Sequence, residues 1–142
     1  MANELLVTRD LNREMIDAGT ALADELESQR FNATAVLWLY FEESERWRIV
    51  VGSPDVEKLG PRRVYENVQA VLDGMPRDAN GLKLKNISAV GDKAFPIKAL
   101  RKHAAMSGRV EAGRVRGPVS GAYIDAYVYR VKPLKIGRKK DS

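Results

Sequence analysis

The segment from Ala33 to Phe41 constrains the fold more than any other part of this sequence. It is a run rich in β-branched and aromatic residues, and both alternating sets of its positions are apolar. A strand with one face in water alternates apolar and polar residues, whereas a strand covered on both faces does not need to. The run therefore predicts a strand at the centre of a sheet, with other elements packed against both of its faces.

A second strand is expected directly after the first. The acidic tract 42–45 separates the first apolar run from another one, at 47–52. Two strand-like runs joined by a short polar loop predict a hairpin, in which the two strands are antiparallel neighbours. A further strand is expected over 122–131, where aliphatic residues alternate with tyrosines and an aspartate.

Three segments, over residues 10–29, 61–73 and 95–106, have the apolar spacing of amphipathic helices. The outer side of the first helix is acidic, and the outer side of the third is basic. Pro61 suits the first position of the second helix, and Gly74 is expected to end that helix in a left-handed conformation.

Shorter strand candidates at 87–90 and 109–117 complete the element order, which is αββαβαββ. Helices between successive strands favour some parallel pairing, and the hairpins add antiparallel pairing, so the sheet is expected to be mixed. The predicted fold class is α+β, a single mixed β-sheet packed with about three helices as a two- or three-layer sandwich.

The length of 142 residues fits one domain. We expect residues 1–131 to form that single α+β domain. Residues 132–142 contain proline, glycine and several basic residues without periodicity, which predicts a basic, flexible C-terminal tail.

The absence of cysteine excludes disulfides and thiolate metal sites, and it fits a reducing compartment. The N-terminus does not have the pattern of a secretory signal, and the longest apolar run is less than half of the roughly 20 residues that cross a bilayer. We therefore expect a cytoplasmic protein without a membrane partner.

No motif in the sequence names a reaction. His103 is the only histidine, so it would have only carboxylates as partners in a metal site. Glycine-rich phosphate-binding motifs are absent, and Ser120 lacks the glycine pattern of a nucleophile elbow. We predict no catalytic residue, no metal and no cofactor, so the protein is expected not to be an enzyme. A metal-dependent hydrolase or nuclease that uses Asp55 or Asp92 is the least favoured interpretation.

Charge is spread unevenly along the chain. The net charge is +5, but residues 1–73 contain 8 basic and 14 acidic residues, whereas residues 74–142 contain 16 basic and 5 acidic ones. Such an asymmetry points to a polyanionic or charged protein partner.

Basic residues of the second half are candidates for one binding surface. If they converge they can neutralise several phosphates, and exposed tyrosines on the last strand can stack on unpaired bases. The predicted function is a small non-enzymatic binding module that contacts nucleic acid or another polyanion. The predicted nucleic-acid-binding residues are Lys98, Arg101, Lys102, Arg109, Arg114, Arg116, Arg130 and Lys132, and the tyrosines are Tyr123, Tyr127 and Tyr129.

Two alternatives stay open at this point. The basic residues also suit an ordinary solvated surface, and the tyrosines also suit a strand covered by a helix. The opposed charges further suit a protein-interaction or accessory subunit that self-associates, because the acidic first helix and the basic third helix can meet across a homodimer boundary.

Overall fold

A five-stranded mixed sheet organises the structure. The computed structural model describes residues 5–76, 81–107, 112–119 and 121–133. The strands are β1 (Ala35–Phe41), β2 (Arg46–Gly52), β3 (Ile87–Val90), β4 (Gly113–Val119) and β5 (Ala122–Val131). They lie side by side in the order β3-β2-β1-β5-β4, so β1 occupies the centre, as its apolar sequence predicts.

The strand pairing is mostly antiparallel. Strands β1 and β2 form the predicted hairpin, from Ala35 opposite Gly52 to Phe41 opposite Arg46. Strand β1 also pairs antiparallel with β5, and β5 pairs antiparallel with β4. Among the described strands only β2 and β3 are parallel, because the chain crosses over between them. The later crossover joins β3 to β4 at opposite edges of the sheet, so it adds no parallel pair.

Helices cover both faces of the sheet. In the described part of the chain they are α1 (Arg13–Ser28), α2 (Asp55–Leu59), α3 (Pro61–Asp73) and α4 (Ile97–Ser107), with a 3₁₀ turn at Leu84–Asn86. Helices α1 and α3 pack on one face, which we call the α1 face, and α4 packs on the other, the α4 face. The α+β sandwich is therefore confirmed, and it has three layers.

Strand β1 contributes apolar side chains to the cores on both faces. Val36 and Trp38 lie in the core of the α1 face, whereas Leu37 and Leu39 lie in the core of the α4 face. All four side chains are buried. Because a buried side chain of this size contributes about 1.5–3 kcal/mol, the double burial of β1 is a large share of the folding free energy.

Two hydrogen bonds to backbone carbonyls attach α1 to the sheet. The indole nitrogen of Trp38 donates to the Met15 carbonyl over 2.8 Å, and the Tyr129 hydroxyl donates to the Ile16 carbonyl over 2.7 Å. Gly19 allows this approach, because a Cβ at that position would overlap the Tyr129 ring. The helix therefore lies directly on β1 and β5.

The helix ends follow the local sequence, with one correction. The Asn12 side chain caps α1 by accepting a hydrogen bond from a backbone amide of the first turn. Pro61 is the first residue of α3, as predicted, and Gly60 before it has a φ of 89°. The left-handed conformation predicted for Gly74 is wrong, since its φ is −81°. The helix ends instead in a tightened last turn, in which the Met75 amide beyond Gly74 donates to the Leu72 carbonyl over 3.1 Å.

Other differences from the predicted elements are local. Helix α2 is additional, and it begins where the Ser53 side chain accepts a hydrogen bond from the Asp55 amide. The strand predicted over 109–117 is observed as β4, and residues 108–111 lie outside the described residues. Of the predicted tail, the Lys132 amide donates to the Thr34 carbonyl over 2.8 Å, and residues 134–142 lie outside the described residues.

We expect Gly19→Ala to destabilise the fold, although alanine has the better helix propensity. The new Cβ would overlap a ring that is packed between α1 and the sheet, and such overpacking costs about 1–3 kcal/mol. Urea unfolding measures this loss. Gly74→Ala is the matched control, because its φ is right-handed and the nearest atom is the end of the flexible Gln29 side chain. Equal losses in the two variants would contradict the predicted overlap.

Stability should also fall at alkaline pH through Tyr129. Burial raises the pKa of its hydroxyl above the ordinary value. The unfolded chain therefore ionises this group first, so its contribution is complete below about pH 10 and is lost as the pH rises further. We expect Tyr129→Phe to lower stability at neutral pH and to flatten the alkaline decline, as measured by urea unfolding at several pH values. The prediction fails if both proteins decline with the same slope.

Candidate functional site

The predicted nucleic-acid-binding residues do not share one surface in the described structure. Arg114, Arg116 and Arg130 lie on the α1 face, Lys98 and Lys102 lie on α4 at the other face, Lys132 follows β5, and Arg109 lies outside the described residues. The sheet therefore separates residues that were candidates for one binding surface, and the described members of the set do not all converge.

Arg101 is held inside the structure. Its Nη1 donates to the Asp92 carboxylate over 2.8 Å, and its Nε donates to the Lys132 carbonyl over 2.9 Å. The two charged side chains of this ion pair are only 13% and 17% exposed. Arg101 therefore joins α4 to the segments that follow β3 and β5, and its charge is not presented to a ligand.

Three further predicted arginines are also held by carboxylates. Arg114 makes two hydrogen bonds to Asp125, of 2.8 and 3.1 Å, and Arg116 lies 3.8 Å from the same carboxylate. Arg130 makes an ion pair with Glu27 of α1. These acids offset the positive charge of the arginines locally, which weakens the attraction that a polyanion would feel there.

The three predicted lysines are placed differently. Lys98, Lys102 and Lys132 are exposed, and no acid partner of their ammonium groups occurs among the described residues. Their charge remains available to a ligand. Lys98 and Lys102 are one turn apart on α4, and Lys132 adjoins that helix because Arg101 donates to its carbonyl.

The tyrosines of β5 also differ from one another. Tyr129 lies under α1, and Tyr127 packs beside it with the ring centroids 5.3 Å apart. Only Tyr123 of the three is well exposed, at 66%. The alternative that a helix covers the strand is therefore correct for Tyr129, and β5 does not present a row of exposed rings.

A different group of cations does converge. Around the first residues of β2 the surface has a notch of about 500 Å³. We call it the basic notch, because its lining includes four cations and only one acid, Glu45, which lies 3.5 Å from the Arg9 guanidinium in an exposed ion pair and offsets one of the four charges in part. The four cations are Arg9, Arg46, Arg48 and Lys85.

Three segments of the chain build the basic notch: the N-terminal segment, the start of β2 and the 3₁₀ turn before β3. In β2, the alternation of side chains between the two faces determines which residues line the notch. Trp47 is buried in the core of the α1 face, so its neighbours in the strand point to the opposite side. The Trp47 indole donates to the Arg9 carbonyl over 2.9 Å and so attaches the N-terminal segment to the notch. Lys85 comes from the 3₁₀ turn before β3.

Arg48 is fixed in one orientation. Its Nε donates to the Ser88 hydroxyl over 2.7 Å, and its two terminal nitrogens donate to the Lys85 and Ile87 carbonyls over 2.8 and 2.9 Å. These acceptors use three of the five guanidinium N–H groups. The remaining donors are preorganised, so an anion that binds them does not have to order this side chain.

The basic notch is not predicted from the charge distribution along the sequence, because three of its cations belong to the acidic half of the chain. The sequence nevertheless contains a pattern that could have predicted part of the notch. Arg46 and Arg48 flank a tryptophan at strand spacing, which places both arginines on one face once the tryptophan is assigned to the core.

The residues considered for catalysis lie apart from the basic notch. His103 is exposed on α4, Asp92 is bound to Arg101, and the Asp55 carboxylate accepts a hydrogen bond of 3.4 Å from Asn32. Among the residues that the structure describes, no three His, Cys, Asp or Glu side chains group as metal ligands.

Comparison with known proteins adds no family. No protein-family model, no curated protein and no solved structure matches this chain. Within the described ranges, none of the helices is long and apolar enough to cross a membrane. A function for this protein therefore has to be inferred from its own geometry.

We expect Arg101→Ala to destabilise the fold, because it leaves the Asp92 carboxylate in a largely buried position without its partner. Removing one member of a buried pair costs about 3 kcal/mol, and partial exposure places this pair at or below that value. Thermal unfolding measures the change. Lys98→Ala, on the exposed side of the same helix, is the control and should stay within about 0.5 kcal/mol of the unmodified protein. A loss at Lys98 as large as that at Arg101 would show that the ion pair is not the cause.

Proposed function

We propose that this protein is a small non-enzymatic binding module for a polyanion, with nucleic acid as the principal candidate, and that the basic notch anchors the ligand. The observation that carries the proposal is the convergence of Arg9, Arg46, Arg48 and Lys85 around one concave surface that has a single acid in its lining. A phosphate group is the ligand that such an arrangement favours.

The chemistry of the basic notch supports this proposal. Arg46 is exposed at the start of β2, and Arg48 is held rigidly beside it by hydroxyl and carbonyl acceptors. A guanidinium that is fixed before binding loses little conformational entropy when it meets a phosphate. Binding through several such cations releases counterions, so affinity falls steeply as salt rises.

Lys98, Lys102 and Lys132 are additional sources of attraction under this proposal. They are exposed, and together with the net charge of +5 they favour encounter with a polyanion over longer distances. Direct phosphate contact is assigned to the basic notch, because the cations converge there.

Self-association through acidic and basic faces receives less support. On the acidic α1 surface Glu27 is engaged by Arg130, and Asp17 lies 3.8 Å from Arg13 of the same helix. On α4 Arg101 is engaged by Asp92, so that of its three predicted cations only Lys98 and Lys102 stay exposed to a second copy. Charges that are paired within one molecule contribute less to attraction between two copies.

The test uses the double variant Arg9→Glu and Arg46→Glu, which reverses two exposed charges of the basic notch. We expect its affinity for a short single-stranded DNA at low salt to fall by tenfold or more, because two phosphate contacts are lost. The slope of log affinity against log salt concentration should also become shallower, by about 0.7 for each lost contact. Fluorescence anisotropy at several salt concentrations measures both quantities.

The matched control for this test is Lys98→Glu with Lys102→Glu. It makes the same change in net charge on exposed residues of α4, away from the basic notch. We expect a clearly smaller loss of affinity in the control. If the control loses more affinity than the Arg9 and Arg46 variant, the anchoring site is α4 and not the basic notch. If the unmodified protein does not retain DNA at low salt, the proposal is wrong.

A further inference from the structure

The sheet opens between the neighbouring antiparallel strands β1 and β5. The ladder between β1 and β5 ends where Leu39 lies opposite Ala126. Beyond this point Tyr40 and Phe41 stay paired with β2 alone, and residues 123–125 stay paired with β4 alone. Each of these two strand ends therefore has one backbone edge without a ladder partner among the described residues.

A cleft of about 570 Å³ occupies this opening. Its apolar lining includes Leu39, Val50 and Ile124, which belong to the core of the α4 face. Phe95, which precedes α4, and Tyr123, at the start of β5, also line the cleft and are 55% and 66% exposed. The cleft therefore combines apolar surface with unpaired strand backbone.

The charge around this cleft is mainly acidic. Glu42 and Glu43 of the β1–β2 loop line the cleft and are exposed. Asp125 and Arg116 also line it, and these two side chains lie 3.8 Å apart and partly offset one another. An occupant that carries positive charge is favoured at the end formed by the two glutamates.

We propose that this cleft binds an extended, basic peptide segment of a partner protein. The peptide backbone adds to the free edge of β5 at residues 123–125, and its apolar side chains contact the accessible rings of Phe41, Phe95 and Tyr123. A lysine or arginine of the peptide faces Glu42 and Glu43. Strand addition supplies affinity through backbone hydrogen bonds, and the pocket and the acidic residues supply selectivity.

A peptide is favoured over nucleic acid at this cleft for two reasons. Phosphates would lie close to Glu42 and Glu43, and the Arg116 charge is already offset by Asp125. In addition, an unpaired strand edge matches another polypeptide backbone, whereas a nucleotide has no complementary ladder. The cleft and the basic notch have no lining residue in common, so this inference does not depend on the proposed function.

The experiment selects peptides from a phage-displayed random library against the whole protein, and then measures synthetic copies of the enriched peptides. We expect enriched sequences that alternate apolar residues and contain at least one lysine or arginine. Methylation of the peptide amides on one edge should abolish binding, because those amides pair with β5, whereas methylation on the other edge should leave it unchanged.

Variants of the protein locate the binding site. Glu42→Lys with Glu43→Lys should weaken the selected peptides about tenfold, the effect expected of two reversed charges facing a cation. Glu14→Lys with Asp24→Lys is the matched control on the exposed side of α1 and should leave binding unchanged. Phe95→Ala keeps every charge and should also weaken binding, and thermal unfolding verifies that each variant is folded.

Several results would overturn the inference. A selection without enriched peptides, acidic enriched peptides, or affinities unaffected by the Glu42 and Glu43 changes would exclude a basic peptide at this cleft. If single-stranded DNA displaces the peptide from the Arg9 and Arg46 variant as well as from the unmodified protein, the cleft binds nucleic acid and not a peptide. If the unmodified protein binds the selected peptides but not DNA, the proposed role of the basic notch is wrong and this inference still stands.

Discussion

Burial of β1 on both faces is the constraint on which the rest of the structure depends. Val36 and Trp38 need an apolar layer on one side, and Leu37 and Leu39 need one on the other. A single helical layer would leave one of these pairs in water, at a cost of about 1.5–3 kcal/mol for each side chain. The three-layer arrangement and the central place of β1 both follow from this requirement.

The few acids of the basic half have a large effect on its surface. Asp92 holds Arg101 in a largely buried pair, and Asp125 accepts two hydrogen bonds from Arg114 and lies close to Arg116. A count of charges along the chain treats all these arginines as available. In the folded protein the guanidinium groups of these arginines lie beside carboxylates of the same chain. The exposed cations that converge are those of the basic notch.

Both candidate sites occur where a strand ladder ends. The pairing between β2 and β3 starts at Ile49, so the preceding residues of β2 are free to form the basic notch with the N-terminal segment and the 3₁₀ turn. The pairing between β1 and β5 stops at Leu39, which opens the acidic cleft. An incomplete ladder exposes backbone and side chains that a complete one would cover, and both proposed binding sites use such an opening in the same sheet.

The sequence by itself determined the elements, because the periodicity that defines a helix or a strand is a property of neighbouring residues. It predicted the central strand, the first hairpin, the order of the helices and Pro61 at the start of α3. Only the tertiary structure decided which charges meet. The Trp47 indole donates to the Arg9 carbonyl and so places Arg9 beside the start of β2, and Arg101 donates to Asp92 and to the Lys132 carbonyl, across chain separations that local spacing does not encode. Electrostatic interactions act through space and are cancelled by the nearest opposite charge, so the position of a binding surface depends on the folded topology more than on composition.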